Sequence, residues 1–200
     1  MSTFVNPEVP IPPQSSAVHH IVDADVKGAP KIETVVDRFL SCDDGKLVFV
    51  AHNAKFESEF LWPFIEERGI EAIFLCTWKT SLRVLPEAPS HTNQFLRYLF
   101  GMLEPFGQSR ASIEAHRALS DCYCTGEIFC KFLESSGYPK IVEWSQQEAL
   151  HTILTFGKHK GMRYEQAPSD YLMWLRDKSD MDDDVKFSAR HWLQMRSAAA

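Results

Sequence analysis

The sequence predicts an α/β domain followed by a small α+β C-terminal module. An apolar run, LVFVA (47–51), is followed by a helical pattern and then by a second apolar run that ends at Cys76. This strand–helix–strand order is typical of a βαβ unit in a parallel sheet. Beyond about residue 150 the pattern changes to ILTFGKHKGMRY (153–164), which favours a β-hairpin with Gly161 at its turn.

The N-terminal elements follow from local signals. Residues 4–30 are rich in proline and lack periodicity, so we expect a strand end, a loop and short helical turns. Residues 30–40 carry apolar side chains at spacings of three and four, which predicts a helix. Asp-Asp-Gly at 43–45 predicts a turn. The uninterrupted β-favouring run at 47–51 indicates a strand covered on both faces.

The remaining elements are mostly helical. The helix after the first strand ends at Gly69, a residue that commonly ends helices. Residues 139–150 indicate a partly helical connector. The other predicted elements are a strand at 70–76 and helices at 56–68, about 92–101, about 117–134, 169–177 and about 183–196.

Composition excludes several classes of protein. The chain has 200 residues, 44% of them hydrophobic and 24% charged, which is ordinary for a soluble globular protein. No apolar stretch approaches the roughly 20 residues that cross a membrane, and the N-terminus lacks the pattern of a secretion signal. Five cysteines without framework spacing fit reduced thiols in the cytoplasm. A net charge of −6 argues against a surface coated in basic residues.

The first candidate site follows the strand at 47–51. His52, Asn53 and Glu57 come directly after it, and sites in open α/β sheets form beyond the carboxyl ends of strands. An acidic residue at a helix start also favours the helix dipole by about 0.3 to 1 kcal/mol. Glu57 taken alone therefore favours this structural role.

A second carboxylate changes that interpretation. In HRALSDCY, Asp121 stands at one end of an apolar helical stripe that includes Ile128 and Phe132. A buried carboxylate is costly without an ion partner or a metal. His116 precedes Asp121 by five residues, in or near the loop that leads into the helix. A carboxylate and a nearby histidine suit a metal-bound water with an adjacent base.

VAHNAKFESEFL (50–61) and HRALSDCY (116–123) together resemble the second and third motifs of the DEDDh family of 3′–5′ exonucleases. FVNPEVPIPPQSSAVHHI, LCTWKTSLRVLP and FGKHKG…YLMWL extend the resemblance over nearly the whole chain. The resemblance implies a ribonuclease-H-like exonuclease domain at 1–140, a connector at 141–150 and a small module at 151–196. It also implies hydrolysis of DNA from the 3′ end.

The same resemblance implies a role for each site residue. Asp121 would bind the catalytic Mg²⁺ or Mn²⁺, His116 would deprotonate the attacking water, and Glu57 would be the second-motif carboxylate beside the metals. The reaction would be two-metal phosphodiester hydrolysis. The pocket for the terminal nucleotide would be shaped by His52, Asn53 and Phe56, with Phe56 able to stack on a base.

The sequence departs from the family at two points. The family has Asp where this chain has Glu57; the extra methylene shifts the carboxylate by about 1 Å, and Mg²⁺ demands near-ideal octahedral geometry. The family's first motif, Asp-x-Glu, does not occur, and KIET (31–34), which resembles it, has helical periodicity. Two divalent cations carry twice the charge of Glu57 and Asp121. We therefore expect an N-terminally truncated domain with weak or absent activity.

The missing strand would also leave the run at 47–51 beside a gap in the sheet. An unpaired apolar strand invites self-association, so a homo-oligomer through the incomplete sheet is one expectation. Two further alternatives stay open. One is a non-catalytic protein that binds single-stranded nucleic acid through its pocket and basic hairpin. The other is an assembly in which another chain completes the site. The expected partner is single-stranded DNA or a DNA 3′ end, with no membrane.

The C-terminal module carries a basic cluster at its predicted turn. The cluster consists of Lys158, His159, Lys160 and Arg163. A solvated turn would explain it, whereas the resemblance implies salt-sensitive contact with a nucleic-acid backbone. The predicted core of the module consists of Tyr171, Leu172, Trp174 and Leu175.

The cysteines at 122, 124 and 130 do not suit zinc. They lie on one predicted helix, where Cys-x-Cys points its thiols about 200° apart, and no second pair completes a site. Buried thiols are the favoured interpretation.

Overall fold

The computed structural model describes residues 2–41, 46–113 and 117–199. The predicted turn at 43–45 and the predicted base His116 lie outside the described residues. The strands are β1 (Lys46–Ala51) and β2 (Glu71–Cys76). The α-helices are α1 (Pro13–His19), α2 (Asp23–Val26), α3 (Ile32–Phe39), α4 (Lys55–Glu67), α5 (Thr77–Val84), α6 (Asn93–Leu99), α7 (Ala118–Ser136), α8 (Tyr138–Gln146), α9 (Ser169–Asp177) and α10 (Asp183–Ala199). Short 3₁₀ turns lie at Pro105–Gly107, Arg110–Ser112 and Tyr164–Gln166.

β1 and β2 form a two-stranded parallel sheet within the described part of the chain, joined by α4. The register runs from Lys46 opposite Glu71 to Ala51 opposite Cys76. This arrangement confirms the predicted βαβ unit. The ends of both strands meet at one edge, so the residues that follow them are brought together there.

Helices cover both faces of this sheet. On one face Phe49 stacks on Phe74 with ring centroids 4.8 Å apart, and this face packs against α3 and α4. On the other face Val50 and Leu75 pack against α6, α7 and α8. Alternate residues of a strand point to opposite faces, which explains this division. The expectation of a strand covered on both faces holds for the C-terminal end of β1.

The N-terminal end of β1 is more open than a fully buried strand. Val48 is 53% exposed, and in the described residues no third strand pairs with β1. The exposed valine lies on the face that α6 to α8 cover farther along the strand. An edge of this kind is open to pairing with another strand.

The helix boundaries follow the local signals closely. Gly69, which follows α4, has a φ of +62° and allows the chain to turn into β2. α5 is the main helix that the sequence did not predict. It begins directly after β2, where the thiol of Cys76 accepts a hydrogen bond from the Lys79 amide and Thr80 donates its hydroxyl to the Cys76 carbonyl. The start of α5 is thus fixed by these two hydrogen bonds and not by a regular spacing of apolar residues, so the sequence pattern does not predict it.

The C-terminal module has its own apolar cluster, which is formed by Leu154, Tyr164, Ala167, Tyr171, Leu172, Leu175, Val185 and Ala189. The predicted hairpin at 153–164 is corrected to a single antiparallel bridge between Ile153 and Arg163. The chain curls instead of extending because Gly157 and Gly161 both adopt positive φ, at +67° and +87°. Among the residues described, none of the helices has the length and apolar character that a membrane span requires.

Candidate active site

His52, at the carboxyl end of β1, connects this strand to neighbouring segments through hydrogen bonds of both ring nitrogens. Its Nε2 donates to the carbonyl of His91 at 2.8 Å, which fixes the tautomer. Burial lowers the pKa of His52, so the ring is neutral and Nδ1 accepts from the Thr77 hydroxyl at 2.9 Å. Both ring nitrogens are therefore engaged, and His52 ties β1 to α5 and to the loop before α6.

The turn after His52 presents an aromatic side chain to solvent. Asn53 has a φ of +66°, a conformation that asparagine tolerates better than most residues, and its carbonyl accepts from the Phe56 amide at 3.3 Å. Phe56 is 72% exposed. The predicted stacking residue is thus accessible beside the start of α4.

Glu57 lies in the first turn of α4 and is half-buried. Its Oε2 is shielded from solvent and has no hydrogen-bond partner within the described part of the chain. A buried polar oxygen without a donor costs about 1 to 3 kcal/mol, more for a charged group. This oxygen is therefore suited to a cation that is bound during function.

Asp121 lies in the first turn of α7, at the end of a stripe in which Ile128 and Phe132 are fully buried. Its Oδ1 accepts a hydrogen bond from Gln94 Nε2 at 3.2 Å. Gln94 is held in turn by Arg97, whose Nη1 donates to Gln94 Oε1 at 3.3 Å. α6 thereby positions the carboxylate of α7.

Arg97 is itself held in place by burial and by hydrogen bonds to the backbone. It is only 2% exposed, and its guanidinium donates to the carbonyls of Met102 and Leu103, each at 3.1 Å. Neither Gln94 nor Arg97 was singled out from the sequence. The available signal was a polar pair at an i, i+3 spacing in the otherwise apolar helix NQFLRYL.

Both predicted carboxylates act electrostatically on one thiol, that of Cys122. Partial burial raises the pKa of the Cys122 thiol, and the charges of Asp121 and Glu57 raise it further. Cys122 adjoins Asp121 in sequence, whereas Glu57 acts on it across space. The first turns of α4 and α7 therefore each bring a carboxylate within electrostatic reach of the Cys122 thiol.

This pair fits one divalent cation rather than a complete two-metal site. Across the residues that the structure describes, no group of three or more His, Cys, Asp or Glu side chains is arranged to hold a metal ion. Mg²⁺ is usually bound through one or two carboxylates together with water and substrate phosphates. The unpartnered Oε2 of Glu57 and the positioned Asp121 match that donor set.

A large cleft lies elsewhere. A cavity of about 1160 Å³ opens beside β2 and is lined by Trp62, Trp78 and Lys79, among others, but by neither Glu57 nor Asp121. Its volume alone does not make it the reactive centre, because the two carboxylates of the predicted site, Glu57 and Asp121, do not line it.

The basic cluster of the module divides into two parts. Lys158 and Lys160 are exposed. His159 instead packs edge-on against Tyr171 at 4.6 Å, and its Nε2 is buried with no hydrogen-bond partner in residues 2–41, 46–113 and 117–199. Arg163 forms a two-pronged ion pair with Glu87 at 2.5 and 2.7 Å, which ties the module to the loop after α5. The two lysines are the members placed to reach a phosphate.

The predicted core of the module is right for three residues and wrong for one. Tyr171, Leu172 and Leu175 are buried, whereas Trp174 is 48% exposed. Trp174 lies one helical turn from Tyr171, at the flank of the buried face, and its indole stacks on the Tyr171 ring while remaining half exposed.

Comparison with known proteins identifies relatives over this region and beyond. The RNase T family model, described as Exonuclease, matches residues 1–129, a range that includes both carboxylates. Exodeoxyribonuclease 10 of Escherichia coli (strain K12) is 31% identical over 201 residues, covering 97% of this chain and 84% of that protein. DNA polymerase III subunit epsilon of Aquifex aeolicus (strain VF5) is 31% identical over 136 residues, covering 66% of this chain and 63% of that protein.

A solved structure shows a similar fold. Exonuclease X in complex with 5′ overhanging duplex DNA superposes with a TM-score of 0.56 at 28% sequence identity. The match covers 72% of this chain and 80% of that chain.

Proposed function

This chain belongs to the RNase T family of exonucleases, and on that premise we propose that it acts on DNA 3′ ends as a weak, divalent-metal-dependent 3′–5′ exonuclease resembling exodeoxyribonuclease X. The observation that carries the proposal is the buried Oε2 of Glu57, which has no hydrogen-bond partner among the described residues. Such an oxygen is costly unless a cation compensates it. Glu57 and Asp121 also both lie close enough to Cys122 to raise the pKa of its thiol.

Glu57 and Asp121 would hold Mg²⁺ or Mn²⁺. When bound, the cation would supply an acidified water and charge stabilisation for the phosphate. Gln94 orients Asp121 by donating to Oδ1, and Arg97 keeps Gln94 in place. Positioning of this kind limits the freedom of the carboxylate at the moment of reaction.

The remaining residues act on the substrate. His116, which precedes α7 in the sequence, would accept the proton of the attacking water. Phe56 would stack on the terminal base, because its ring is exposed beside Glu57. Asn53 would border the same pocket, and His52 would shape it indirectly by holding the end of β1.

Low activity follows from charge. The two carboxylates neutralise one divalent cation, whereas two cations at one site need about twice that negative charge from the protein and substrate. Binding of a DNA end without cleavage is therefore the second candidate function. It is favoured by the absence, among the described residues, of a third ligand beside Glu57 and Asp121.

Degradation of a 5′-labelled single-stranded oligonucleotide, with Mg²⁺ and separately with Mn²⁺, tests the proposal. We expect slow stepwise shortening from the 3′ end. Asp121→Asn and His116→Ala should abolish it, and Glu59→Gln, a change to an exposed carboxylate on the same helix as Glu57, should not. An intact substrate in the presence of folded wild-type protein that still binds the oligonucleotide would support binding alone.

A further inference from the structure

We propose that the C-terminal module holds a second nucleic-acid site, in which Trp174 stacks on a base of a single strand while Lys158 and Lys160 contact the adjoining phosphates. The inference rests on the proposed function only in taking nucleic acid as the ligand. It needs no metal and no cleavage, and it uses residues outside the candidate active site.

Trp174 is half exposed but firmly supported. Its ring stacks on Tyr171 with centroids 5.8 Å apart and an interplanar angle of 25°. Tyr171 is only 8% exposed and belongs to the apolar cluster of the module. Because the indole is held by the buried Tyr171 ring and is partly exposed to solvent, a base can stack on it without a change in the conformation of the side chain. Aromatic side chains of this kind provide stacking surfaces for single strands.

The same tyrosine organises the lysine-bearing loop. A Cβ atom at Gly157 would lie 2.5 Å from the Tyr171 hydroxyl oxygen, so glycine allows the loop to close onto the ring. His159 packs against the edge of Tyr171 at 4.6 Å, and Lys158 Nζ lies 5.5 Å from its centroid. The cation of Lys158 and the indole of Trp174 are therefore held around one buried residue.

The charge of this loop favours a polyanion. Residues 151–200 carry eight Lys and Arg against seven Asp and Glu, whereas the whole chain carries 21 against 27. Arg163 is occupied by Glu87, but neither Lys158 nor Lys160 takes part in a salt bridge with the carboxylates of the described residues. Two exposed ammonium groups beside an exposed indole suit a phosphodiester backbone and a base.

A single strand fits this site better than a duplex. Trp174 needs an unstacked base with an open face, and a base inside a duplex is already stacked on both sides. The lysines, in contrast, would accept the phosphates of either form. The indole therefore sets the preference for the single strand, and the lysines set the salt dependence.

Binding is measured by fluorescence anisotropy of labelled oligothymidylate and oligouridylate of about 20 nucleotides, with EDTA present to prevent cleavage. Trp174→Ala should weaken binding about tenfold, the effect of losing one base–aromatic stack, and Trp174→Phe should retain most of it. The matched control is Trp62→Ala, because both tryptophans are 48% exposed. Lys158→Gln with Lys160→Gln should reduce the salt slope by about 1.4. Binding of either oligomer that is weakened by Trp174→Ala and not by Trp62→Ala supports the site.

Equal affinities for wild type and Trp174→Ala, or equal losses in Trp174→Ala and Trp62→Ala, would overturn the inference. Thermal unfolding of both variants shows whether each remains folded, and Trp174→Phe provides a variant that keeps a packed ring. The assay is independent of the proposed function. If the wild type cleaves DNA and Trp174→Ala binds as well as the wild type, only the Trp174 site is contradicted. If the wild type never cleaves but Trp174→Ala binds more weakly, only the exonuclease proposal is contradicted.

Discussion

Gln94 Nε2 lies 3.2 Å from Asp121 Oδ1, and this hydrogen bond connects α6 to the first turn of α7. The glutamine is held from behind by Arg97, which is almost entirely buried. A candidate metal ligand is thus oriented by a pair of residues that would not touch the metal. Loss of an outer partner of this kind typically lowers metal affinity by about 10- to 100-fold.

We expect Gln94→Ala to weaken Mn²⁺ binding by about tenfold or more, because outer partners of metal ligands typically contribute that much. Isothermal titration calorimetry measures the affinity directly. Asn93→Ala is the matched control, since Asn93 lies on the same helix and donates to Thr125 at 2.7 Å instead of to the carboxylate. Equal affinities for the two variants would show that Gln94 does not position Asp121.

Glu57→Gln should stabilise the metal-free protein by about 1 kcal/mol, because it removes the charge from a carboxylate whose buried Oε2 has no hydrogen-bond partner among the described residues. The same change should abolish the rise in melting temperature that Mn²⁺ produces in the wild type. Thermal unfolding in EDTA and in Mn²⁺ separates the two effects. Glu59→Gln should leave both unfolding temperatures nearly unchanged, since Glu59 is exposed. A Glu57→Gln protein that Mn²⁺ still stabilises would place the cation elsewhere.

The parts of this site that the sequence predicts are those set by residues close together in the chain. β1, α4 and β2 are predictable because apolar runs and helical spacing are properties of neighbouring residues. The place of Glu57 just beyond the carboxyl end of β1 follows from the rule that sites form at the carboxyl edge of a parallel sheet. The Gln94–Asp121 hydrogen bond is not predictable in the same way, because it depends on how α6 packs on α7.

The C-terminal module shows the same limit. Apolar spacing in SDYLMWLRD places Tyr171, Leu172 and Leu175 in the core correctly. The spacing does not reveal that Trp174 stays half exposed. Its exposure depends on how the rest of the module packs around the stacked Tyr171 and Trp174 rings. The predicted hairpin fails because two positive-φ glycines bend the backbone out of the extended form.

Acid should destabilise the protein below about pH 6.5, the ordinary pKa of histidine. Burial lowers the pKa of His52, His91 and His151. Each folded-state pKa lies below the unfolded value, so the neutral rings contribute stability that is present above pH 6.5 and is lost as the pH falls toward the folded pKa. Urea unfolding at several pH values between 5 and 8 measures this loss, with each titrating histidine adding up to about 1.4 kcal/mol per pH unit.

His151→Gln should flatten that dependence, since one buried titrating ring is removed. The exposed His20 provides the control, because His20→Gln removes a histidine that solvent already reaches. An unfolding free energy that does not change between pH 7.5 and 5.5 would mean that these rings titrate normally in the folded protein.

Gly157→Ala should destabilise the C-terminal module more than Gly161→Ala. Both glycines have positive φ, so alanine strains the backbone at either position by about 1 kcal/mol or more. Only at Gly157 does the new methyl group also collide with the Tyr171 hydroxyl; at Gly161 nothing among the described residues lies within 4 Å.

Chemical denaturation of the single variants and of Gly157→Ala combined with Tyr171→Phe measures the collision alone. Tyr171→Phe should recover part of the loss at Gly157 and none at Gly161, because it removes the colliding oxygen but leaves the backbone strain. Equal losses for the two glycines, with no recovery, would show that the loop does not close onto Tyr171.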